Sequence, residues 1–545
     1  MNPPTLLVIA ARNVAEYILQ GKYKGVDYEL CDTGSNIIFD RVKELKYELD
    51  TEEQEQVADE ILLKMVKPSK MNFETHRLRE MREWDLEMLR EQNLKELKMG
   101  DMSNLKDYVK EFDEETVKKL RRKQPVTARD YFDIIDLLNQ NLKLETKTSL
   151  TKLDISKSHY DRLDNPFPEN WTQAISQMLP NLKTLKIAGQ NLPKAEFRVL
   201  CNSFPNLISL DIAATGLVDL TGIAKLQKLE ELAMGGLPIS SRKGLNDLYK
   251  LKNLKRLNLN EHRNFANKNN TVITHFARSD KSIPGLLEFD CSKSQIKQEE
   301  LDEIVERHPT LKKIIANGVD FVEFYYEGIE ISSSHSIDSL LRSIDYFYAK
   351  GDHSRNFKNV FQLADRIQNE QDPTIETLRP VIRKMYQLLP IYDYHRSITE
   401  NIEMVYHAAT RPDILPLYDD SDKRVLLEMF LILNVAHPPY TRVPSPLPWK
   451  TFNEIIQMTE NPQTDKIAAR AIQFFVAYEG KEVALECLDI LDHLMEKIDM
   501  AAEEFKGLDI RKLVVGLNKI HTQKKWKKDI KQKAGRVMRF FEQFA

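Results

Sequence analysis

Between Leu150 and Phe321 apolar residues recur at offsets 0, 3, 5 and 10 from a leading leucine. The phrase runs Leu182, Leu185, Ile187, Leu192, then Leu207, Leu210, Ile212, Leu217, then Leu229, Leu232, Met234, Ile239. Weaker copies pass through Leu150, Leu153, Ile155, through Leu254, Leu257, Leu259, and through Leu286, Phe289, Cys291, Ile296. The alternation at the centre of each copy predicts a short strand with its apolar side chains turned to one side. The fourth position closes a turn, and a helical stretch returns. Starts at 182, 207, 229 and 254 are 25, 22 and 25 residues apart; the steps 150–182 and 254–286 are 32 each, so two units carry extra residues. Pro180, Pro205, Pro284 and Pro309 each stand two residues before a leading leucine. There they stop the preceding helix and open the extended segment.

One such unit cannot bury its own apolar face, so neighbours must stack to supply a core. Period and pattern are those of the leucine-rich repeat, an α/β solenoid built for binding rather than chemistry. Beyond Ser336 the period changes, and helical segments follow one another: 337–350, 357–368, 375–389, 398–409, 423–436, 466–478 and 482–504. Short connections between them suggest an all-α solenoid of armadillo or HEAT type, with a generic helical bundle as the alternative. Five prolines between Pro438 and Pro448 mark a loop. The expected organisation is a helical box over 1–50, helices and degenerate repeats over 51–149 (one at Leu94, Leu97, Met99), leucine-rich repeats over 150–330, and armadillo-like helices over 336–545.

Composition adds limits. The chain is 545 residues long, 42% hydrophobic and 30% charged, with a net charge of −4 that by itself points to neither nucleic acid nor membrane. Its four cysteines (Cys31, Cys201, Cys291, Cys487) are far apart, which fits a reducing compartment and argues against a disulfide framework or zinc. Leu6 to Ala11 is a short apolar run with Arg12 behind it, not a secretory signal, and Val425–Ala436 is too short to span a bilayer. The expected location is cytoplasmic or nuclear. No phosphate loop, GxGxxG, HExxH or GxSxG is present, and neither a catalytic set nor a metal or cofactor site is expected. The one strong asymmetry is the end of the chain. Lys519 to Arg539 holds nine Lys or Arg against one Asp, and Ile530, Ala534, Val537, Phe541 and Phe544 fall at helical spacing. This is either a terminal cap with a solvated basic face or a contact for something acidic.

At the start, Thr5 leads into Leu6, Ala10, Val14 and Ile18, four residues apart and therefore on one helix face. A small residue between larger ones lets a partner approach closely; a helix capping the open end of the repeats accounts for the same pattern. Such a helix, then leucine-rich repeats, then armadillo-like helices closely resembles the Zyg-eleven and Zer-one family of cullin-two ubiquitin-ligase substrate receptors. That family's N-terminal box follows Ser/Thr/Pro-Leu, three residues, a small residue, three residues, then an apolar one. Thr5-Leu6, Ala10 and Val14 match it.

The resemblance implies that Leu6 enters the elongin C pocket of an elongin B/C adaptor, with Ala10 and Val14 packed beside it. It also implies a cullin contact further on, for which Ile37, Ile38 and Val42 are the candidates, although Tyr28–Ile38 lacks the family's proline. Members that read N-terminal glycine carry a Trp-Asn-Leu-Thr-Asp phrase; its counterpart here is Leu433-Asn434-Val435-Ala436-His437, without the aromatic wall or the carboxylate. An ammonium buried without a carboxylate is costly, so glycine N-degrons are not the expected client. The expected client surface is in the helical region, at Asn434, His437, Phe475 and Tyr478. On this reading the chain is a non-catalytic receptor that binds elongin C/elongin B, cullin-two and an unknown protein client, and neither nucleic acid nor membrane. The alternatives are a free-standing interaction scaffold and an adaptor for Skp-one through Ile37–Leu49.

Overall fold

The computed structural model describes residues 6–26, 28–46, 49, 51–73, 81–111, 130–157, 166–260, 271–319, 325–369, 374–392, 396–436, 446–459, 464–477, 482–505 and 508–545. The chain forms two compact units, Met1–Ser354 and Arg355–Ala545.

The first unit opens with three helices, α1 (Leu6–Leu19), α2 (Asp32–Leu45) and α3 (Glu52–Met65). Then come β1 (Lys70–Asn72), α4 (Glu83–Glu91), β2 (Glu96–Lys98), the small pair β3 (Val109–Glu111) and β4 (Asp130–Phe132), α5 (Ile134–Asn141) and α6 (Leu144–Ser149). The repeats proper follow as β5 (Lys152–Asp154), α7 (Trp171–Met178), β6 (Thr184–Lys186), α8 (Lys194–Ser203), β7 (Ser209–Asp211), β8 (Glu231–Ala233) and β9 (Arg256–Asn258). They continue through α9 (Val272–Ala277), β10 (Glu288–Asp290), α10 (Gln298–Arg307), β11 (Lys313–Ile315) and β12 (Glu330–Ser332), and α11 (Ile337–Ala349) ends the unit.

Among the described residues ten strands form one parallel sheet in the order β1-β2-β5-β6-β7-β8-β9-β10-β11-β12. Strand-bearing repeats therefore begin at Lys70, well upstream of Leu150. Register aligns the central residues in a single row: Met71, Leu97, Leu153, Leu185, Leu210, Leu232, Leu257, Phe289, Ile314 and Ile331. All ten are buried, and the leading leucines form a second buried row beside them. Three-residue strands suffice because each unit lends its core face to the next.

Turns are closed by a repeated device at the strand ends. The side chains of Asp154, Asp211, Asn258 and Asp290 accept hydrogen bonds from the amides of Ser156, Ala213, Asn260 and Ser292, two residues on. Asx turns of this kind bend the chain without a second strand. Return segments vary from unit to unit. The unit from Leu182 carries α8, whereas the 22-residue unit from Leu207 and the 25-residue unit from Leu229 carry only 3-10 turns, at Ile223–Lys225, Arg242–Leu245 and Leu248–Lys250. The pair β3 and β4 is antiparallel and stands outside the main sheet, accounting for part of the long spacing before Leu150.

Helix α11 departs from the expected boundary at 336, because its apolar face is spent on the repeats. Ile315, on the open face of β11, is buried together with Tyr346 and Phe347. Ser343 Oγ donates to Asn317 Oδ1 at 2.9 Å, and Arg342 Nε donates to the Ile331 carbonyl at 2.8 Å.

The second unit is helical throughout its described residues: α12 (His353–Asn369), α13 (Ile375–Tyr392), α14 (Arg396–Ala409), α15 (Asp420–Ala436), α16 (Pro446–Met458), α17 (Thr464–Ala477), α18 (Glu482–Leu494), α19 (Ile510–Thr522) and α20 (Lys528–Glu542). From α13 to α20 most helices pack on the next or the next but one. Of the proline-rich segment expected to form a loop, residues 438–445 lie outside the described residues, and the end of it is helical instead. Pro446 and Pro448 lie in the first turn of α16, where a missing N–H costs nothing. The core is aromatic: the Phe430 and Phe452 rings stack at 4.0 Å, and Trp449 meets Phe474 at 4.8 Å. Asp422, its side chain fully buried, holds Arg379 at 2.6 Å and Arg383 at 3.0 Å, tying α15 to α13.

Candidate adaptor and client surfaces

Helix α1 packs on α2 and α3. Its inward face is Ala11, Ala15 and Ile18, at 3%, 0% and 0% exposure. Two alanines at that spacing let α2 approach closely. The neighbouring stripe is different: Ala10 and Tyr17 are exposed and Val14 is half-buried. Leu6 opens the helix, and its side chain lies outside the described residues. The residues that the family resemblance assigns to elongin C thus include an exposed alanine and a valine only partly used by the core. The four-residue stripe does not survive as one buried face, since Ile18 turns inward while Ala10 does not.

The proposed cullin contact needs correction. Ile38 is 3% exposed and Val42 0%, both within the core, and Ile37 is half-buried against it. With Phe39 and Leu45 they form the stripe that α2 turns inward. Phe39 meets Phe73 edge-on at 5.8 Å, fastening α2 to the first repeat.

Around that junction lie two buried ion pairs. Lys43 Nζ contacts Asp85 Oδ1 at 2.6 Å, and Lys46 contacts Asp59. Lys46 also stands 4.8 Å from the Trp84 ring centre. Burial pushes the Asp59 carboxyl up to about 6, against the opposing pull of Lys46 and Lys43.

On the open face of the sheet the first row of outward residues neutralises itself. It reads Lys70, Glu96, Lys152, Thr184, Ser209, Glu231, Arg256, Glu288, Lys313, Glu330. Glu96 is shared by Lys70 and Lys152, Glu231 is held by Arg256, and Lys313 meets Glu330 at 2.7 Å. Burial raises the Glu96 carboxyl, but its two lysines outweigh this and leave it lowered. A face so paired offers little net charge to a ligand.

In the helical unit Phe475 is fully buried and belongs to the α17 core, so it presents no ring to a client. Asn434 sits on α15 with its side chain outside the described residues, and His437 and Tyr478 lie outside them altogether. What the unit does present is a polar cleft of about 460 Å³ lined by Asn453, Gln457, Asp489, Asp492, His493, Met495, Glu496, Lys533 and Arg536. Two ion pairs cross it: Lys533 Nζ to Asp489 Oδ1 at 2.6 Å, and a two-pronged contact from Arg536 to Asp492 at 3.0 and 2.5 Å. The sequence carried a signal for it, an acidic pair at i, i+3 on α18 facing a basic pair at i, i+3 on α20.

Among the described residues no group of three or more His, Cys, Asp or Glu is placed to hold a metal ion. No described helix is long and apolar enough to cross a membrane.

No family model matches the chain. Gastrulation-defective protein 3 of Caenorhabditis elegans is 26% identical over 345 residues, covering 63% of this chain and 44% of that protein. The chain thus spans less than half the length of the curated relative. Among solved structures, internalin C2 of Listeria monocytogenes covers 51% of this chain and 81% of its own, at 14% identity and TM-score 0.23. An internalin F of the same organism covers 49% and 70%, at 13% identity and TM-score 0.25. The class is read from the chain's own parallel sheet and buried leucine rows: a leucine-rich-repeat solenoid followed by a helical region.

Proposed function

We propose that the chain is a non-catalytic substrate-recognition subunit of a cullin-RING ubiquitin ligase. In this reading α1 docks on elongin C, which with elongin B links the receptor to a cullin, cullin-two by resemblance. The helical unit is of armadillo or HEAT type and carries the client site, and the repeats serve as a rigid spacer. The observation that carries the reading is the division of α1. Ala11, Ala15 and Ile18 are consumed by the core, while Ala10 and half of Val14 remain available one stripe away. A helix that served only as a cap has no need of a second apolar stripe. The neighbour pattern of α13 to α20 supports a stacked helical array, and the self-paired sheet face favours a client site elsewhere than on the repeats. Ala10 and Val14 keep their assignment to elongin C; Ile38 and Val42 are withdrawn as cullin contacts.

The test is co-purification of the full chain from cells, with the adaptor identified by mass spectrometry. Leu6→Asp is expected to abolish recovery of elongin C and elongin B while leaving the melting temperature unchanged. Retained elongin would overturn the assignment, as would recovery of Skp-one in its place.

A further inference from the structure

The net charge of −4 gives no reason to expect an anionic partner, but charge at the turn between α19 and α20 is strongly local. The connection reads Gln523-Lys524-Lys525-Trp526-Lys527, and α20 begins with Lys528. Lys524, Lys525, Lys527 and Lys528 are exposed, Lys531 and Trp526 are half-buried, and Asp529 is the single acid nearby. The basic face of α20 is split. Lys533 and Arg536 are bound to Asp489 and Asp492 of α18, whereas among the described residues no carboxylate pairs with the four tip lysines. Lys525 Nζ lies 4.9 Å from the centre of the Trp526 ring, covering its face.

The helix ends account for only half of this placement: Lys524 and Lys525 follow the last turn of α19, where cations are favourable, but the other two lysines have no such reason. Lys527 at the N-cap and Lys528 in the first turn put cations at the positive end of α20, where they cost stability. The tip is nevertheless held firmly. His521 Nδ1 donates to the Lys531 carbonyl at 2.8 Å, and the His521 ring lies where a Cβ on Gly535 would come within 2.9 Å of it.

We infer that the α19–α20 turn is a docking point for the surface of an anionic lipid bilayer. Several lysines gathered at the end of a helical hairpin can all meet one plane at once. A nucleic-acid strand would instead need a basic track with several stacking rings, and the tip has one. Lysines are point charges on long apolar stems, suited to a field of headgroups, and a tryptophan between them sits naturally at the water–lipid boundary. The full chain is expected to co-sediment with phosphatidylcholine vesicles containing phosphatidylserine, and not with phosphatidylcholine alone. Binding should weaken with salt and fall by about a hundredfold or more in K524E/K525E/K527E/K528E. The neutral K524Q/K525Q/K527Q/K528Q variant repeats the test without charge reversal, each with its melting temperature as a fold control. Trp526 fluorescence should shift to the blue on anionic vesicles, and the shift should vanish in Trp526→Phe. Equal binding to both vesicles, binding that ignores the tip lysines, or tighter retention by an RNA duplex or polyglutamate would each overturn the inference.

Discussion

Lys43 on α2 and Asp85 on α4 form an ion pair at 2.6 Å with side-chain exposures of 6% and 3%, so a helix of the N-terminal box is pinned electrostatically to the first repeat. The pair is surrounded by Phe73, whose ring centre is 5.4 Å from Lys43 Nζ, and by the apolar residues of α2 and α4. Asp85 Oδ2 also accepts the backbone amide of Arg82, closing the start of α4. Box and repeats therefore share one core and fold as one unit.

Removing one partner leaves a buried charge alone. Lys43→Met is expected to cost about 3–5 kcal/mol, and Lys43→Met with Asp85→Asn to recover most of it while keeping the amide cap. Denaturant unfolding of the two variants checks this; equal losses would mean that packing rather than charge holds the junction.

Asp59 gives the same junction a pH dependence. Its carboxyl is raised to about 6 by burial, with Asp85 adding to the rise and Lys46 and Lys43 opposing it; Glu55 and Arg82 stand beyond Lys46. The folded state thus holds a proton that the unfolded chain releases near pH 4. The contribution is present below the unfolded value and is lost as pH rises through about 6, on the order of 3 kcal/mol. Relative to the native chain, Asp59→Asn should gain stability between pH 4 and pH 7. Parallel melting profiles of the two proteins would refute it.

The repeats were legible where a physical rule left the chain no choice. A row such as Leu185, Leu210 and Leu232 must be apolar at every unit, so the strand positions follow from the pattern alone. At β1 the phrase shrinks to Met71 and Phe73, and nothing local separates it from a loop; its strand exists because β2 pairs with it. The N-terminal helix was legible as a helix but not in its rotation, since Ala10 and Ala11 are chemically identical and only tertiary contacts decide which is inside. Phe475 misled for a similar reason: an aromatic late in a helix suits a pocket and a core equally. The cleft on α18 and α20 joins residues 44 apart: each i, i+3 charge pair stands in the sequence, but no local pattern shows that the two pairs face each other.

Phe475→Ala should therefore behave as a core deletion. We expect a loss of about 3–5 kcal/mol for the helical unit, read by thermal unfolding. Unchanged stability would return Phe475 to the surface.

Gly235 tests the close stacking of repeats. A Cβ there would lie 1.8 Å from the carbonyl oxygen of Asn260, a backbone atom of the next unit that has no rotamer to escape through. Gly235→Ala is expected to destabilise the solenoid by about 1–3 kcal/mol or more. A control at Gly216, where a Cβ meets nothing within 4 Å, should cost only the strain of its φ of +76°.

The sharpest separation of stability from binding lies in two adjacent alanines. Ala11 is 3% exposed against α2 and α3, and Ala10 is exposed. Ala11→Arg would bury a guanidinium among apolar residues without a partner, and should cost several kcal/mol and lower the melting temperature sharply. Ala10→Arg should shift stability by no more than about 0.5 kcal/mol, because its side chain enters water. If α1 docks on elongin C as proposed, Ala10→Arg also blocks close approach and should eliminate elongin recovery from a fully folded protein. Loss of both folding and binding at Ala10 would mean that the stripe is part of the core after all. Full binding with full stability would mean that α1 meets its partner through some other face, or meets none.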